Sequence, residues 1–273
     1  VTPLDLAGRS VLIAGASHGI GRAVAVACAR PGTTLHLCAR EAGPLEAVHR
    51  ECAGLGAEVR SVELDVCDRA GMEAWIGGVG RLDFVLANAG VAAGNPRVGP
   101  EMEDDVRAIF ETNVTGMLNT VLPAMAVMRG QTPVSGTRGR IAALASTAGF
   151  VPVPGAAAYC ASKSAVDAWI VGQAHVARRQ GVRLTSVCPG YVRTRMTAGN
   201  DFPMPGLMEP EEAARRILVA VARGRVRVVF PWWMGFAARL GAMLPAGSVG
   251  RMLGAACVVP GADRGERVLE DAA

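Results

Sequence analysis

Ser10-Val11-Leu12-Ile13-Ala14-Gly15-Ala16-Ser17-His18-Gly19-Ile20-Gly21 is the stretch on which the fold turns. Its first five residues form a short apolar run, the pattern of a strand buried on both faces. Small residues and three glycines then interrupt the run, and from residue 19 to residue 30 the pattern becomes helical. A strand, a glycine-rich turn and a helix in that order open a βαβ unit. The glycines let the backbone turn tightly and approach a pyrophosphate, which would rest on the unpaired N–H groups of the helix N-terminus. Glycine spacing alone is a weak signal in a chain with 34 glycines, and the position directly after a strand is what gives it weight.

The same alternation continues outward. Residues 34–38, 59–64, 83–87, 140–144 and 183–188 read as further strands buried on both faces, and residues 102–128 and 156–180 as long helices. Such a pattern predicts an α/β fold with a single doubly wound parallel sheet, Rossmann-like, with helices on both faces. No internal repeat or low-complexity segment is visible. Residues 195–210 hold three prolines and several apolar side chains, which suits a mobile loop over a site.

Composition sets the remaining limits. Of 273 residues, 51% are hydrophobic and 19% charged, enough to bury a core and too apolar for disorder. A net charge of +4 is too small to announce a nucleic-acid binder. Of the 28 basic residues 27 are Arg, Lys163 is the sole lysine, and Tyr159 and Tyr191 are the only tyrosines. Seven cysteines are scattered without ligand spacing, so neither a disulfide framework nor a metal site is expected. His36, His49 and His175 also lack ligand spacing. With no secretory pattern and no apolar run long enough to span a bilayer, a reducing, cytoplasmic compartment is expected.

The Gly15-x-x-x-Gly19-x-Gly21 spacing is followed in order by Asn88-Ala89-Gly90, Asn113, Ser146, Tyr159-x-x-x-Lys163 and Pro189-Gly190. Together these resemble the short-chain dehydrogenase/reductase family, from about residue 6 to residue 194. The chemistry is also readable from the residues. On a helix, Lys163 lies on the same face as Tyr159, four residues earlier. A neighbouring cation favours phenolate, so the tyrosine pKa is expected to fall toward the working range. Retention of the one lysine at that spacing is what such a pair requires, since an arginine offers no compact ammonium.

The resemblance implies the roles. Tyr159 would be the general acid that protonates a carbonyl oxygen, and Ser146 would hydrogen-bond that oxygen, with Thr147 beside it as a rival. Lys163 would bind the nicotinamide ribose, and Asn113 would hold a water that passes protons to Lys163. The same resemblance implies a cofactor cradle of Gly15, Ser17, His18, Gly19, Ile20 and Gly21. Asp65 and Val66 would meet the adenine, Asn88 and Gly90 the adenosine side, and Pro189, Gly190, Val192 and Thr194 the nicotinamide. Two departures, Ala14 in place of the common Thr and Ala87 in place of a first Asn, each remove hydrogen bonds that steady the cofactor loops. Arg40 stands at the end of the second strand, where relatives that prefer NADP carry a basic residue. A guanidinium binds a 2′-phosphate in a bidentate fork, which makes NADP(H) the expected cofactor, with His18 assisting.

Residues 1–230 are expected to form the NADP-binding and catalytic domain, and residues 231–273 a C-terminal extension. Residues 213–262 carry seven Arg and no acid, together with Trp232-Trp233. That stretch would pack on the domain, cap the site, meet a neighbouring subunit or lie peripherally on a membrane surface. The resemblance implies a homodimer or homotetramer. The reaction expected is interconversion of a secondary alcohol and a ketone, with a lipophilic carbonyl as the small-molecule substrate. Reduction of a ketoacyl thioester, or NADP binding by a non-catalytic sensor, are the rival readings.

Overall fold

The strand expected first, Ser10–Ala14 (β1), sits in the middle of a seven-stranded sheet. The computed structural model describes residues 6–92, 101–200, 202–245 and 270–271. In it β1 pairs with β2 (Thr34–Ala39) on one side, beyond which lies β3 (Glu58–Glu63). On the other side comes β4 (Phe84–Ala87), while β5 (Val91–Ala92) stands apart from the sheet. β6 (Gly139–Leu144), β7 (Val182–Pro189) and β8 (Arg227–Phe230) complete the order β3-β2-β1-β4-β6-β7-β8, every neighbouring pair parallel. The chain winds outward from β1 to β3 and then returns to wind the other way from β4. In open α/β sheets the crevice beyond the strand ends at such a reversal is where ligands bind.

Alternation along β1 divides the core between two faces. Val11 and Ile13 join Val24, Leu45 and Ile217, which come from α1 (Gly19–Cys28), α2 (Ala42–Gly54) and the later helix 210–222. Leu12 and Ala14 join Met72, Val121 and Ile170 on the opposite face. Those three belong to α3 (Arg69–Gly77), the helix 117–130 and the helix 157–179. Each fully buried aliphatic side chain contributes on the order of 1.5–3 kcal/mol of transfer free energy. The two cores therefore hold the strand ends, and the loops they carry, in fixed register.

Two expectations are corrected, and one strand is added. β3 is not buried on both faces: Glu58, Arg60, Ser61 and Glu63 are exposed, because it is an edge strand covered mainly through Val59 and Val62. The long helix expected over 102–128 is broken into α4 (Glu103–Phe110), a π-helical turn (Glu111–Gly116) and α5 (Met117–Gly130). β8 was hidden by the alternating arginines of Arg225-Val226-Arg227 and is the last strand of the sheet.

Later elements frame one end of the crevice. A 3₁₀ turn (Thr147–Phe150) follows β6 and leads to α6 (Ala157–Arg179). After β7 comes α7 (Arg195–Ala198), a single turn whose N-terminus is closed by reciprocal Thr194 and Thr197 bonds. The chain around it is tied back by Arg193 N–H to the Met208 carbonyl and Met208 N–H to the Tyr191 carbonyl, so the expected free loop is anchored at both ends. Then follow α8 (Pro210–Ala222) and α9 (Trp232–Ala242). α9 packs one face inward through Gly235, against which Val229 and Phe150 stand, while Arg239 stacks 4.3 Å above the Phe150 ring. Its other face leaves Trp232, Phe236 and Leu240 exposed. β9 (Glu270–Asp271) pairs antiparallel with β5. Among the described residues no helix is long and apolar enough to cross a membrane.

Candidate active site

The glycine turn is a cradle in which side chains have no room. Gly15 has φ +81°, and a Cβ there would come within 2.6 Å of Ala89 N. A Cβ on Gly21 would collide with the Gly15 carbonyl, so α1 could not start so close to β1. A Cβ on Gly19 would press within 2.8 Å of Thr194 Cγ2, which places Thr194 across the mouth of the cradle. Asn88 Nδ2 donates to the Gly15 carbonyl at 2.7 Å, and Gly15 and Ala16 N–H both donate to the Cys38 carbonyl. Ser17 is buried, and His18 is the N-cap of α1 without a capping side-chain bond. Ile20 packs onto the core and fixes the first helical turn. A turn without side chains at Gly15, Gly19 and Gly21, placed directly at the N-terminus of α1, fits the phosphates of a dinucleotide.

Around the second half of the crevice the chemistry-bearing side chains meet. Lys163 is buried, with Nζ donating to the Leu144 carbonyl at 3.0 Å and lying 5.7 Å from the centre of the Tyr159 ring. Ser146 accepts from Ala148 N–H at 3.1 Å and hydrogen-bonds the Tyr159 phenol. The 3₁₀ turn after Ser146 lies so close to α6 that a Cβ on Gly149 would approach the Ser164 backbone N to 2.8 Å. Ser146 is thus set against Tyr159 by backbone packing and not by a flexible loop. Thr147 is occupied elsewhere, its Oγ1 bonded to the Pro189 carbonyl at 3.2 Å and to Met234 Sδ at 3.4 Å.

Asn113 lies in the π-helical turn, and its amide reads the β5 backbone as a strand neighbour would. Oδ1 accepts from Val91 N–H at 2.8 Å, and Nδ2 donates to the Val91 carbonyl at 2.9 Å and to Ser162 Oγ at 3.0 Å. A single turn of i→i+5 spacing at a site residue is a common use of this geometry. The side chain thereby ties the π-helical turn to β5 and, through Ser162, whose hydroxyl donates to the Tyr159 carbonyl at 2.8 Å, to α6. A Cβ on Gly90 would stand 3.0 Å from Asn113 Oδ1 and 3.1 Å from Lys163 Nζ. Gly90 therefore keeps the space in front of both residues open.

The electrostatics differ from the sequence expectation. Burial pushes the Tyr159 phenol up to about 12, the Ser146 hydrogen bond opposing it, and burial lowers Lys163 to about 8. Removal of water is the largest cause of both shifts, and no attraction between the two groups offsets it. Tyr159 is accordingly a protonated donor at neutral pH. The thiols nearby are inert for a related reason, burial raising Cys188 to about 12 and Cys160 above its usual value.

The other expected residues divide between the two ends of the crevice. Asp65 accepts from Cys67 N–H at 2.8 Å, and Val66 is buried against Gly116, both at the far side of β2. Arg40 is exposed at the end of β2. Pro189 offers its carbonyl to Thr147, Gly190 N–H donates to the Phe230 carbonyl at 2.7 Å, and Val192 is buried, its carbonyl accepting from the Thr197 hydroxyl at 2.7 Å. Residues not expected from sequence complete the picture. Met234 of α9 lies against Gly190, and Arg195 bridges His18 and Glu41. No periodicity marks either, since both reach the site from elements far along the chain.

A family model described as short chain dehydrogenase matches residues 9–202. The chain belongs to that family, and with it to the NAD(P)-dependent oxidoreductases. An oxidoreductase of Myxococcus xanthus (strain DK1622), named as uncharacterized, is 36% identical over 248 residues, covering 88% of this chain and 94% of its own. The human estradiol 17-beta-dehydrogenase 11 is 28% identical over 251 residues, covering 88% and 81%. Two solved structures agree with the fold, both carrying a nicotinamide cofactor. A short-chain dehydrogenase from Sphingobium yanoikuyae in complex with NADPH has 28% identity and a TM-score of 0.73, covering 86% of this chain and 95% of that one. One from Burkholderia phymatum in complex with NAD has 25% identity and a TM-score of 0.78, covering 87% and 94%.

Proposed function

We propose that this protein uses NADP(H) to interconvert a lipophilic ketone and its secondary alcohol, with reduction as the working direction. The observation that carries the reading is the buried Ser146–Tyr159–Lys163 cluster, set beside a wall of apolar side chains. Met234 stands in that wall, its Sδ against Gly190 and 3.4 Å from Thr147 Oγ1, and Tyr191 and Phe202 meet edge-on 6.0 Å apart just beyond. Such a surface favours an apolar substrate over a small polyol. The human relative, which is named for estradiol, accords with that class. NADP is favoured by Arg40 at the ribose end of β2, where a guanidinium suits a phosphate.

When bound, the cofactor supplies hydride to the carbonyl carbon. The Tyr159 O–H donates its proton to the carbonyl oxygen as charge develops there, and Ser146 holds that oxygen with a second hydrogen bond. The Lys163 ammonium lies behind the phenol and favours the phenolate left after donation. Asn113 and Ser162 keep this stretch of α6 at a fixed distance from β5. Turnover of NADPH with a panel of apolar ketones, absent with small sugars, is the expected result. Silence across the apolar panel, with cofactor bound, would reject the substrate class.

The pH dependence follows from the buried lysine. Lys163 is lowered to about 8, so its charge is present below that pH and is lost above it, while Tyr159 stays protonated to about 12. Ketone reduction, measured as kcat/KM, is expected to be level near neutrality and to fall as pH rises through about 8. A profile that stays level well beyond that point would mean that the ammonium does not support the step.

A further inference from the structure

Arg195 opens α7, on the substrate side of the crevice, yet its guanidinium is held at the opposite edge of the cofactor cradle. Nη1 donates to His18 Nε2 at 3.0 Å and to the two Glu41 oxygens at 3.1 and 3.3 Å. His18 is the N-cap of α1, beside the pyrophosphate turn, and Glu41 is the N-cap of α2, directly after Arg40. The three side chains therefore meet where the phosphate turn and the ribose end of β2 converge. An arginine can only donate, so His18 Nε2 accepts, its ring proton lies on Nδ1, and that proton faces Ser17 Oγ at 3.0 Å. The permanent cation at this corner is Arg195.

Glu41 is the awkward member. A carboxylate near the adenosine ribose repels a 2′-phosphate and would favour the unphosphorylated cofactor. Paired with Arg195, it no longer presents a net negative charge. We propose that Arg195 is a ligand for the 2′-phosphate of the cofactor, kept in place in the free protein by Glu41 and passed to the phosphate on binding. The proposal rests on the NADP reading above. The exchange is favourable in charge: a phosphate monoester carries close to two negative charges at neutral pH and a carboxylate one. It also displaces little, because the Arg195 and Glu41 side chains are 55% and 40% exposed and an ion pair so exposed is weak. Arg40 and Arg195 then approach the phosphate from two separate elements, β2 and α7. Cofactor choice thereby becomes linked to the segment that borders the substrate.

Titration of the full chain with adenosine 2′,5′-bisphosphate and with adenosine 5′-monophosphate isolates the 2′-phosphate from nicotinamide chemistry. The wild type should prefer the bisphosphate. Arg195→Gln should weaken the bisphosphate about tenfold and leave the monophosphate unchanged, as loss of one charge-assisted bond implies. Glu41→Gln should tighten the bisphosphate several-fold, since it removes both the repulsion and the competing acceptor. A wild type without preference for the bisphosphate would overturn the NADP reading and this proposal together. Preference retained in full by Arg195→Gln would overturn the proposal alone. Equal weakening of both nucleotides would make Arg195 a ligand of the 5′-phosphate and overturn it as well.

Discussion

Tyr159→Phe is expected to lower ketone reduction by about 10²–10⁴-fold, the usual contribution of a positioned general acid, while cofactor affinity stays near that of the wild type. The substitution removes one hydroxyl and keeps the ring. Lys163 Nζ retains its bond to the Leu144 carbonyl, and Asn113 and Ser162 retain theirs, so the surroundings have no cause to rearrange. Ser146 loses a partner but stays bonded to Ala148 N–H. Single-turnover rates and a fluorescence titration with reduced cofactor check the two halves separately. Near-normal turnover would move the proton to another donor, and weakened cofactor binding would mean that the phenol is a binding group first. Because burial holds the phenol at about 12, the donor is fully protonated at neutral pH, and its loss is felt at every accessible pH.

How much of this was legible in the sequence depends on how local the signal is. β1 and its glycine turn were readable because adjacent residues alone define them: an apolar run, then three glycines where side chains would collide with Ala89, Gly15 and Thr194. Tyr159 and Lys163 were readable because helical spacing puts them on one face and the chain contains no other lysine. Their electrostatics were not, since desolvation depends on what other elements bring over them. The position of β3 is legible nearly to the residue and its exposure is not, because a strand's place in the sheet order is a tertiary property. The break at residues 111–116 was hidden for a similar reason: Asn113 leaves regular helix to satisfy the backbone of Val91, 22 positions away. Arg195 and Met234 reach the site from elements after β7, and no local pattern announces such an approach.

The same limit hid the ion pair that should matter most for stability. Asp167 lies one turn beyond Lys163 on α6 and is nearly buried. Arg227 of β8 donates to it twice, at 2.7 and 2.6 Å, and Ser186 Oγ of β7 once, at 2.7 Å. Burial alone would raise the Asp167 pKa, but the Arg227 and Ser186 hydrogen bonds outweigh it and the net shift is downward. Breaking a buried pair from one side leaves the other charge uncompensated, at a cost of about 3–5 kcal/mol. Arg227 keeps 32% of its side chain exposed, which places the expected loss for Asp167→Asn near the lower end, about 3 kcal/mol. Denaturant unfolding of the cofactor-free chain measures it. The sign with pH is fixed by the downward shift. The carboxylate's contribution is complete above its unfolded value of about 4 and is lost as pH falls through the lower folded value. The gap between wild type and Asp167→Asn should therefore be widest near neutrality and close under acid. A gap that persists at low pH would trace the loss to packing. A gap below about 1 kcal/mol at neutral pH would mean that solvent reaches the pair, as it does at ordinary surface bridges. Arg227→Met, which removes the other partner, should cost a similar amount and add little when combined with Asp167→Asn, because both substitutions break the same bonds.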